Sequence, residues 1–356
     1  MIEILEKVLP YITGLLTLPW ILVGFVATLI LLRFVDESRI NRIMKRIGTI
    51  LLFLFVPLLL FRIFLGVDFG GEEIKFSLVV FGILPFMYLL AYLFAGYSAK
   101  RLGLEGAQRE DFVKTAFTNQ GRSAAFVGGA MLAIVEWRVF SAIYMCLVGI
   151  WLFAIIPYIL SVMHRKRGKG LKTSTLPWHL KIYPWYLLSF VAAAVVLHRN
   201  LGIKLSDFGD MGIVLKFFTA LTIPAALYYV GAGIRPRDFK IDEMKKLLGF
   251  NRGADSKDAA KGEDHWPLTR SIFFLTMVLT PLIISLFFGA LLLLNLIPKE
   301  WFAVIILNSI LPITSTNMFL VPYGIDRKAT ALSVTWTTVV SVPLLVLLIN
   351  IFSIYF

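Results

Sequence analysis

The sequence predicts an all-α integral membrane protein with ten transmembrane helices, two of them discontinuous. Hydrophobic residues make up 58% of the 356 residues and charged residues only 16%, and the mean hydropathy is +0.82. These values lie far from those of a soluble globular domain. Apolar runs close to the ~20 residues that span a bilayer recur along the chain, and polar stretches interrupt two of them. We therefore expect residues 1–356 to form a single membrane domain.

Ten apolar runs define the predicted spans. They lie at residues 12–34, 47–65, 76–98, 112–134, 138–160, 182–198, 210–234, 270–295, 301–324 and 328–352. Charged residues precede Pro10 and no small-residue cleavage pattern follows it, so we expect the N-terminal segment to belong to the first span and not to a removable signal peptide. Cys146 is the only cysteine, which excludes an intramolecular disulfide.

Lysine and arginine concentrate in alternate loops, and this pattern predicts the orientation of the chain. One set of loops holds Arg39, Arg42, Lys45, Arg46, Lys100, Arg101, Arg109, Arg165, Lys166, Arg167, Lys169, Lys172, Lys181, Arg235, Arg237, Lys240, Lys245, Lys246, Arg252, Lys257, Lys261, Arg270, Arg327 and Lys328. The opposite set holds only Lys7, Lys75, Arg138, Arg199, Lys204 and Lys299. This excess of about fourfold predicts that the first set is cytoplasmic and that both termini lie outside the cell membrane. The net charge of +13 thus indicates topology and contact with anionic membrane lipid, and we expect no nucleic-acid partner.

The predicted spans form two halves of five. Residues 1–163 hold spans 1 to 5 and residues 182–356 hold spans 6 to 10. Because five is odd, the two halves insert with opposite orientation, as in an inverted repeat. The proline-containing runs Phe55–Phe61 in span 2 and Thr222–Tyr228 in span 7 resemble each other, which supports a duplication. Residues 235–269 contain few apolar side chains and predict a flexible cytoplasmic loop.

Polar residues interrupt span 4 at Thr118–Ser123 and span 9 at Pro312–Asn317. Backbone and amide groups at membrane depth are tolerated only where protein or water satisfies them. Both breaks lie ~11–15 Å from a membrane face, near the centre of a ~30 Å core, where the N-termini of half-helices favour an anion. The predicted substrate-binding residues are Asn119, Gln120, Arg122, Thr314, Ser315, Thr316 and Asn317. The predicted helix breaks and hinges are Gly121, Gly128, Gly129, Pro312, Pro57 and Pro224.

Arg122 leaves two hypotheses open. An arginine at the centre of a membrane helix costs ~2.5–3.5 kcal/mol on insertion scales, so it needs an acidic partner, a cluster of carbonyls or an anion. No acidic residue occurs in predicted spans 3, 4, 5, 9 or 10. The guanidinium therefore either holds a substrate carboxylate, or caps the carbonyls of the broken helix or extends to water.

The sequence shows no motif for catalysis, a cofactor or a metal. The four histidines lack metal-ligand spacing, and neither a His-Glu-x-x-His motif nor a phosphate-binding loop occurs. We therefore expect no enzymatic activity, and ATP-driven transport would require another subunit. An ion channel is an alternative because broken helices also build selectivity filters, although the two breaks differ in sequence.

Several segments resemble the auxin efflux carrier family. Ile310–Phe319, followed by Tyr323–Asp326, is similar to that family's C-terminal signature. Leu221–Asp238 is similar to its seventh span and Phe117–Gly121 to its fourth. The family usually has a proline several residues after the asparagine of the fourth span, and this chain has Phe126 at that position. The break in span 4 is therefore expected to depend on glycine.

The resemblance implies a ten-helix inverted repeat with crossing helices 4 and 9, an architecture shared with bile acid symporters and NhaA-like antiporters. It implies a scaffold of spans 1, 2, 6 and 7 and an elevator-like moving domain of spans 3 to 5 and 8 to 10. It also implies a homodimer and organic-anion substrates, such as auxin or dicarboxylates, bound where spans 4 and 9 cross.

Together these patterns predict a permease that moves a small organic anion, a carboxylate, by alternating access. The predicted crossing offers neutral oxygens and no carboxylate, which favours facilitated or proton-linked transport over a sodium site. A sodium-coupled symporter of the bile acid type is the alternative within transport.

Overall fold

The computed structural model describes residues 19–124, 127–165, 178–234, 245, 247 and 265–355. Within these residues the secondary structure is helical, apart from one isolated β-bridge. Seven helices are long and apolar enough to cross a membrane. The prediction of a helical, multi-pass membrane protein is therefore confirmed at this level.

We number the main described helices α1 to α10 in chain order. They are α1 (Pro19–Leu31), α2 (Glu37–Phe64), α3 (Gly71–Arg101), α4 (Gly106–Thr118), α5 (Arg138–Met163), α6 (Trp178–Leu201), α7 (Gly209–Gly233), α8 (Trp266–Leu293), α9 (Lys299–Ile310) and α10 (Arg327–Tyr355). Three 3-10 helices are Gly128–Ala133, Leu205–Phe208 and Ser315–Tyr323. The seven membrane-length helices are α2, α3, α5 to α8 and α10.

The helices coincide with the predicted spans in order, with differences at their ends. Helix α2 begins ten residues before the predicted span, because the charged residues from Glu37 onward are helical and not part of a loop. Helices α4 and α9 have 13 and 12 residues, so each is too short to span a bilayer alone. Both end at the polar stretches that were predicted to interrupt them.

Some predicted features lie outside the described residues. These are residues 12–18 of the first span, Phe126, most of the basic loop between the two halves and most of the loop at 235–269.

The chain forms two compact units. The first comprises Met1–Val80, Ala124–Gly149 and Ile182–Arg235, and the second comprises Phe81–Ser123, Ile150–Lys181 and Pro236–Phe356. Helices α1, α2 and α7 and most of α6 thus belong to the first unit, and α4 and α8 to α10 belong to the second. Helices α3 and α5 contribute residues to both.

In the first unit, α1 and α7 pack with their backbones in direct contact. A Cβ atom on Gly231 would overlap the Ile21 carbonyl, and a Cβ on Gly24 would overlap the carbonyl of Tyr228. Small residues allow such close approach, which increases van der Waals contact between helices in a membrane. These two glycines therefore determine the distance between α1 and α7.

In the second unit, α4 lies among small and apolar side chains of three other helices. This cluster comprises Ala95, Ala99, Phe112, Val113, Ala116, Leu268, Ile272, Ile313 and Ala329. The alanines of α3 and α10 contribute little volume, so the α4 backbone lies close to its neighbours. This packing positions the end of α4 beside the chain that follows α9.

Three helices widen into a π-helical turn immediately before a proline. The segments Leu51–Phe55, Trp151–Ile155 and Leu275–Leu279 lie in α2, α5 and α8, and in each one the residue before the proline donates its N–H to the carbonyl five residues back. A proline has no N–H, and its ring clashes with the carbonyl four residues earlier in an α-helix. A π turn accommodates the ring without ending the helix.

The prolines behind the predicted internal repeat differ in local structure. Pro57 follows the π segment of α2, whereas Pro224 lies in the continuous α-helix α7. The similarity of the two sequence runs is thus not matched by the same backbone conformation.

Candidate functional site

The chain segments that follow α4 and α9 are unwound and paired with each other. Arg122 and Ile313 form an isolated antiparallel β-bridge. The Thr314 N–H donates to the Gly121 carbonyl at 2.9 Å, and the Ser123 N–H donates to the Pro312 carbonyl at 2.9 Å. The backbone groups released by each break are therefore partly satisfied by the other break. We call this paired region, Asn119–Ser123 with Leu311–Asn317, the crossing.

Each break has a local cause in the sequence. After α4, the N–H groups of Gln120 and Gly121 bond three residues back, to Phe117 and Thr118, which closes the helix with tight turns. After α9, Pro312 disfavours a helical conformation of the residue before it. Leu311 accordingly has φ −51° and ψ 144°, which is an extended conformation.

Arg122 links the crossing to α8. Its Nη1 donates to the Leu311 carbonyl at 3.3 Å, and its Nη2 donates to the Thr276 carbonyl at 3.1 Å and to Gln120 Oε1 at 3.4 Å. The side chain is only 1% exposed. Of the two hypotheses for this arginine, the described contacts are those of a cap on the carbonyls of a broken helix.

The Thr276 carbonyl is an acceptor for Arg122 because of its place in the π turn of α8. The Thr280 N–H bonds to the Leu275 carbonyl, and the next residue, Pro281, has no N–H to offer the Thr276 carbonyl. The π turn and its proline thus leave an acceptor for the guanidinium.

The α-helical ends at the crossing are both C-terminal. Helices α4 and α9 end there at Thr118 and Ile310, so the partial charges of both helix ends are negative. Sequence analysis instead predicted the N-termini of half-helices at this point, and only the 3-10 helix Ser315–Tyr323 begins at the crossing. The positive charge of Arg122 therefore complements the local backbone dipoles.

Helix α10 supplies polar partners to both breaks from one stripe of side chains. Thr330 Oγ1 accepts from Asn119 Nδ2 at 3.1 Å, Thr337 Oγ1 accepts from the Ile313 N–H at 3.1 Å, and Ser341 Oγ donates to the Ile310 carbonyl at 2.6 Å. These residues are fully buried. Because a released backbone group is costly in an apolar environment, the stripe stabilises the unwound conformation.

Several buried amide atoms at the crossing have no hydrogen-bond partner. They are Asn119 Oδ1, Gln120 Nε2 and both Asn317 Oδ1 and Asn317 Nδ2. The three side chains are at most 1% exposed. A Cβ atom on Gly121 would lie 2.8 Å from Asn317 Oδ1, so the Asn317 amide packs directly against the other break. These atoms are the part of the crossing that is available to a polar guest.

The structure brings most, but not all, predicted site residues together. Asn119, Gln120, Gly121, Arg122, Pro312, Thr314 and Asn317 form the crossing. Thr314 Oγ1 and Thr316 Oγ1 hydrogen-bond each other at 2.9 Å, and Thr316 is half-buried. Ser315, the first residue of the 3-10 helix, is exposed. Gly128, Gly129, Pro57 and Pro224 belong to the other unit.

Sequence analysis missed several buried polar residues near the crossing. Lys114 of α4 is fully buried, with Nζ 2.8 Å from Glu110 Oε1. A lysine inside a predicted span is a signal that could have identified it. Thr330, Thr337 and Ser341 recur at helical spacing in an apolar run, which is the corresponding signal for the α10 stripe.

Within the described residues, no group of three or more His, Cys, Asp or Glu side chains could hold a metal ion. The polar groups at the crossing are amides, hydroxyls and carbonyls, together with one guanidinium. This set suits hydrogen bonding to a polar organic molecule better than tight binding of a divalent cation.

A scan of protein-family models finds no match to the chain. A search of curated protein sequences finds no significant match either.

Proposed function

We propose that this protein is a secondary transporter that moves a small organic anion, a carboxylate, across a cell membrane by alternating access. The proposal includes the ten-span inverted repeat and the relation to auxin efflux carriers that the sequence suggests. The observation that carries it is the crossing, in which two unwound segments pair between otherwise apolar helices and leave buried amides without partners.

Unpartnered buried amides are costly, and this cost supports a binding function. Each buried polar group that lacks a partner costs ~1–3 kcal/mol. The crossing contains four such atoms on three side chains. A ligand or water that satisfies them recovers much of this energy, and broken helices at the membrane midplane are the usual location of substrate sites in transporters.

The charge and donor pattern supports an anionic substrate. The guanidinium of Arg122 lies at the crossing, and the amide nitrogens of Gln120 and Asn317 are donors without a partner. A carboxylate accepts hydrogen bonds from such donors, and the positive charge favours it even without direct contact. We therefore assign direct binding of the substrate carboxylate to the amides, and we assign to Arg122 the role of holding the crossing in place and supplying positive charge.

The closed state of the crossing favours a carrier over a channel. Asn119, Gln120, Arg122 and Asn317 are each at most 1% exposed. An open channel requires a continuous wet path, whereas an alternating-access carrier passes through states in which its site is closed to water.

Uptake of radiolabelled carboxylates into proteoliposomes tests the proposal. Vesicles with wild-type protein should take up at least one carboxylate faster than protein-free vesicles do. The Asn317→Ala variant should take it up at least about tenfold more slowly, because both amide atoms are removed. Asn350→Ala is the matched control, since Asn350 is the same type of residue but is exposed on α10, outside the crossing. The uptake should persist without sodium, and a proton gradient should accelerate it if transport is proton-linked.

Other results would redirect the assignment. Uptake that requires a sodium gradient would indicate a sodium-coupled symporter. Currents of many ions per opening in planar bilayers would indicate a channel. Equal uptake by wild-type and Asn317→Ala protein would remove the crossing as the substrate site.

A further inference from the structure

The hydrogen bonds around the crossing fix the orientation of two amide side chains. Asn119 Nδ2 donates to the Thr115 carbonyl at 2.8 Å and to Thr330 Oγ1 at 3.1 Å. Thr330 Oγ1 donates its own proton to the Asp326 carbonyl at 2.7 Å, so towards Asn119 it acts only as an acceptor. Both N–H groups of Asn119 are thereby used, and Oδ1 is left as an acceptor.

The Gln120 amide is fixed in the opposite sense. Its Oε1 accepts from Arg122 Nη2 at 3.4 Å, and because a guanidinium is only a donor, the oxygen and not the nitrogen must face it. Gln120 Nε2 is therefore a donor without a partner. Neighbouring residues in the chain thus present one acceptor and one donor, both buried.

Asn317 offers both kinds of atom next to Gly121, the residue that follows Gln120 in the chain. Its Oδ1 and Nδ2 both lack a partner, and Gly121 leaves room for them, since a Cβ at that position would lie 2.8 Å from Oδ1 and 3.3 Å from Nδ2. The available atoms of the crossing are therefore two acceptors and two donor groups.

We infer that the substrate brings an O–H donor together with its carboxyl acceptors, an inference that rests on the proposed transport function. A bare carboxylate has only acceptors. It would satisfy Gln120 Nε2 and Asn317 Nδ2, but it would leave Asn119 Oδ1 and Asn317 Oδ1 facing its own lone pairs. An O–H group beside the carboxyl donates one hydrogen bond, and so satisfies one of these two acceptors.

Two sources supply this chemistry. A 2-hydroxy acid carries the O–H on the neighbouring carbon, and a carboxylic acid bound with its proton carries the O–H on the carboxyl itself. In the second case the proton enters the site with the substrate and leaves with it, so no titratable protein side chain is required at the crossing.

Calorimetric binding to the purified full-length chain tests the inference with two matched pairs of acids. The pairs are lactate with propionate and mandelate with phenylacetate, and in each pair the members differ by one hydroxyl. At pH 7.5 the hydroxy acid should bind at least about tenfold more tightly, because a site built to bond a hydroxyl discriminates strongly against an analogue that lacks it. If the proton is the source instead, propionate and phenylacetate should gain about a hundredfold in apparent affinity at pH 5.5, because the protonated fraction of a carboxylic acid rises about tenfold for each pH unit of acidification above its pKa. Proton uptake would then be measured in buffers of different ionisation enthalpy.

A nearly isosteric variant tests the donor side. Gln120→Glu replaces Nε2 with an oxygen while keeping an acceptor towards Arg122, so the protein should melt near the wild-type temperature. It should lose at least about tenfold in affinity for all four acids, since a carboxylate then faces the substrate carboxyl. Asn350→Ala, at an exposed position of α10, should bind as the wild type does.

The outcomes separate this inference from the proposed function. Equal binding within each pair at both pH values would show that water satisfies the acceptors, and would overturn the O–H inference while leaving anion transport in place. If propionate binds only in the presence of sodium, then the ion and not an O–H group satisfies the acceptors. This result would overturn the O–H inference as well. If a folded protein binds none of the four acids, both the carboxylate assignment and this inference fail.

Discussion

Two prolines in the second unit have opposite effects on their helices. At Pro281 the helix widens into a π turn and continues, and the Thr280 N–H still finds a partner in its own helix. At Pro312 the chain leaves the helix, and its backbone groups bond to Thr337, Ser341 and the other break. This difference shows that a proline alone produces only a local distortion of the helix backbone. A helix unwinds in an apolar environment where other elements supply partners for its backbone.

Removal of the Arg122 side chain should have the largest effect on stability. Its guanidinium donates to the Leu311 carbonyl, next to Pro312, and to the Thr276 carbonyl, in the π turn before Pro281. We expect Arg122→Ala to lower the free energy of unfolding by about 3 kcal/mol, since charged hydrogen bonds are lost and buried carbonyls remain. Thermal melts of the purified protein measure this loss. Arg109→Ala is the control, because Arg109 lies on α4, the helix that precedes the crossing, but is exposed. It should change stability by less than about 0.5 kcal/mol.

The same variant distinguishes a cap from a substrate ligand. If Arg122→Ala melts at the wild-type temperature but no longer binds carboxylates, then the guanidinium holds the substrate and the amides do not suffice. Arg122→Lys should recover only part of the stability, because one ammonium cannot reproduce the planar fork that reaches three acceptors.

The α10 stripe offers the next largest test of how unwinding is supported. Thr337→Val is nearly isosteric and removes the acceptor for the Ile313 N–H, so we expect a loss of ~1–3 kcal/mol in unfolding free energy. Thr338→Val is its matched control, because the Thr338 hydroxyl bonds only within α10, to the Val334 carbonyl. Similar melts for the two variants would show that the crossing does not depend on α10 for its partners.

Replacement of Pro281 should have the smallest effect. The Pro281→Ala substitution restores a backbone N–H near the Thr276 carbonyl, which adds a hydrogen bond to the helix. Because this N–H competes with Arg122 for the same carbonyl, the gain is offset. We expect a change of less than about 1 kcal/mol in unfolding free energy. Pro157→Ala, at the equivalent position of the α5 π segment, should stabilise the protein more. If Pro281→Ala stabilises equally, the Thr276 carbonyl contributes little to holding Arg122.

The comparison also shows what the sequence could reveal. The polar run after Pro312 identified an unwound segment, and Asn119, Gln120 and Arg122 identified its partner, because polar residues in apolar runs require a local explanation. Leu and Ile follow Pro281, and nothing there distinguishes a π turn from a simple kink. The sequence therefore located both breaks of the crossing, but it did not locate the π turn of α8 whose Thr276 carbonyl accepts from Arg122.

Other features depend on three-dimensional contacts that carry no residue signature. The main partners of Arg122 are the backbone carbonyls of Leu311 and Thr276, and any residue has a carbonyl. The exposure of Ser315 depends on how the 3-10 helix starts, since its side chain is as polar as that of its neighbour Thr316. The sequence predicted half-helix N-termini at the crossing, but it did not reveal that the second half of each broken span is a 3-10 helix and not an α-helix.

The close packing of α1 on α7, which Gly24 and Gly231 allow, has a consequence for biosynthesis. The partner surface of α1 lies on α7, so the ribosome must add about 200 residues, which takes roughly 10–40 s at usual elongation rates, before the two helices can meet. During this interval the face of α1 that contains Gly24 is exposed to lipid or to the insertion machinery. Substitutions at Gly24 should therefore impair assembly in the cell before they affect the finished protein.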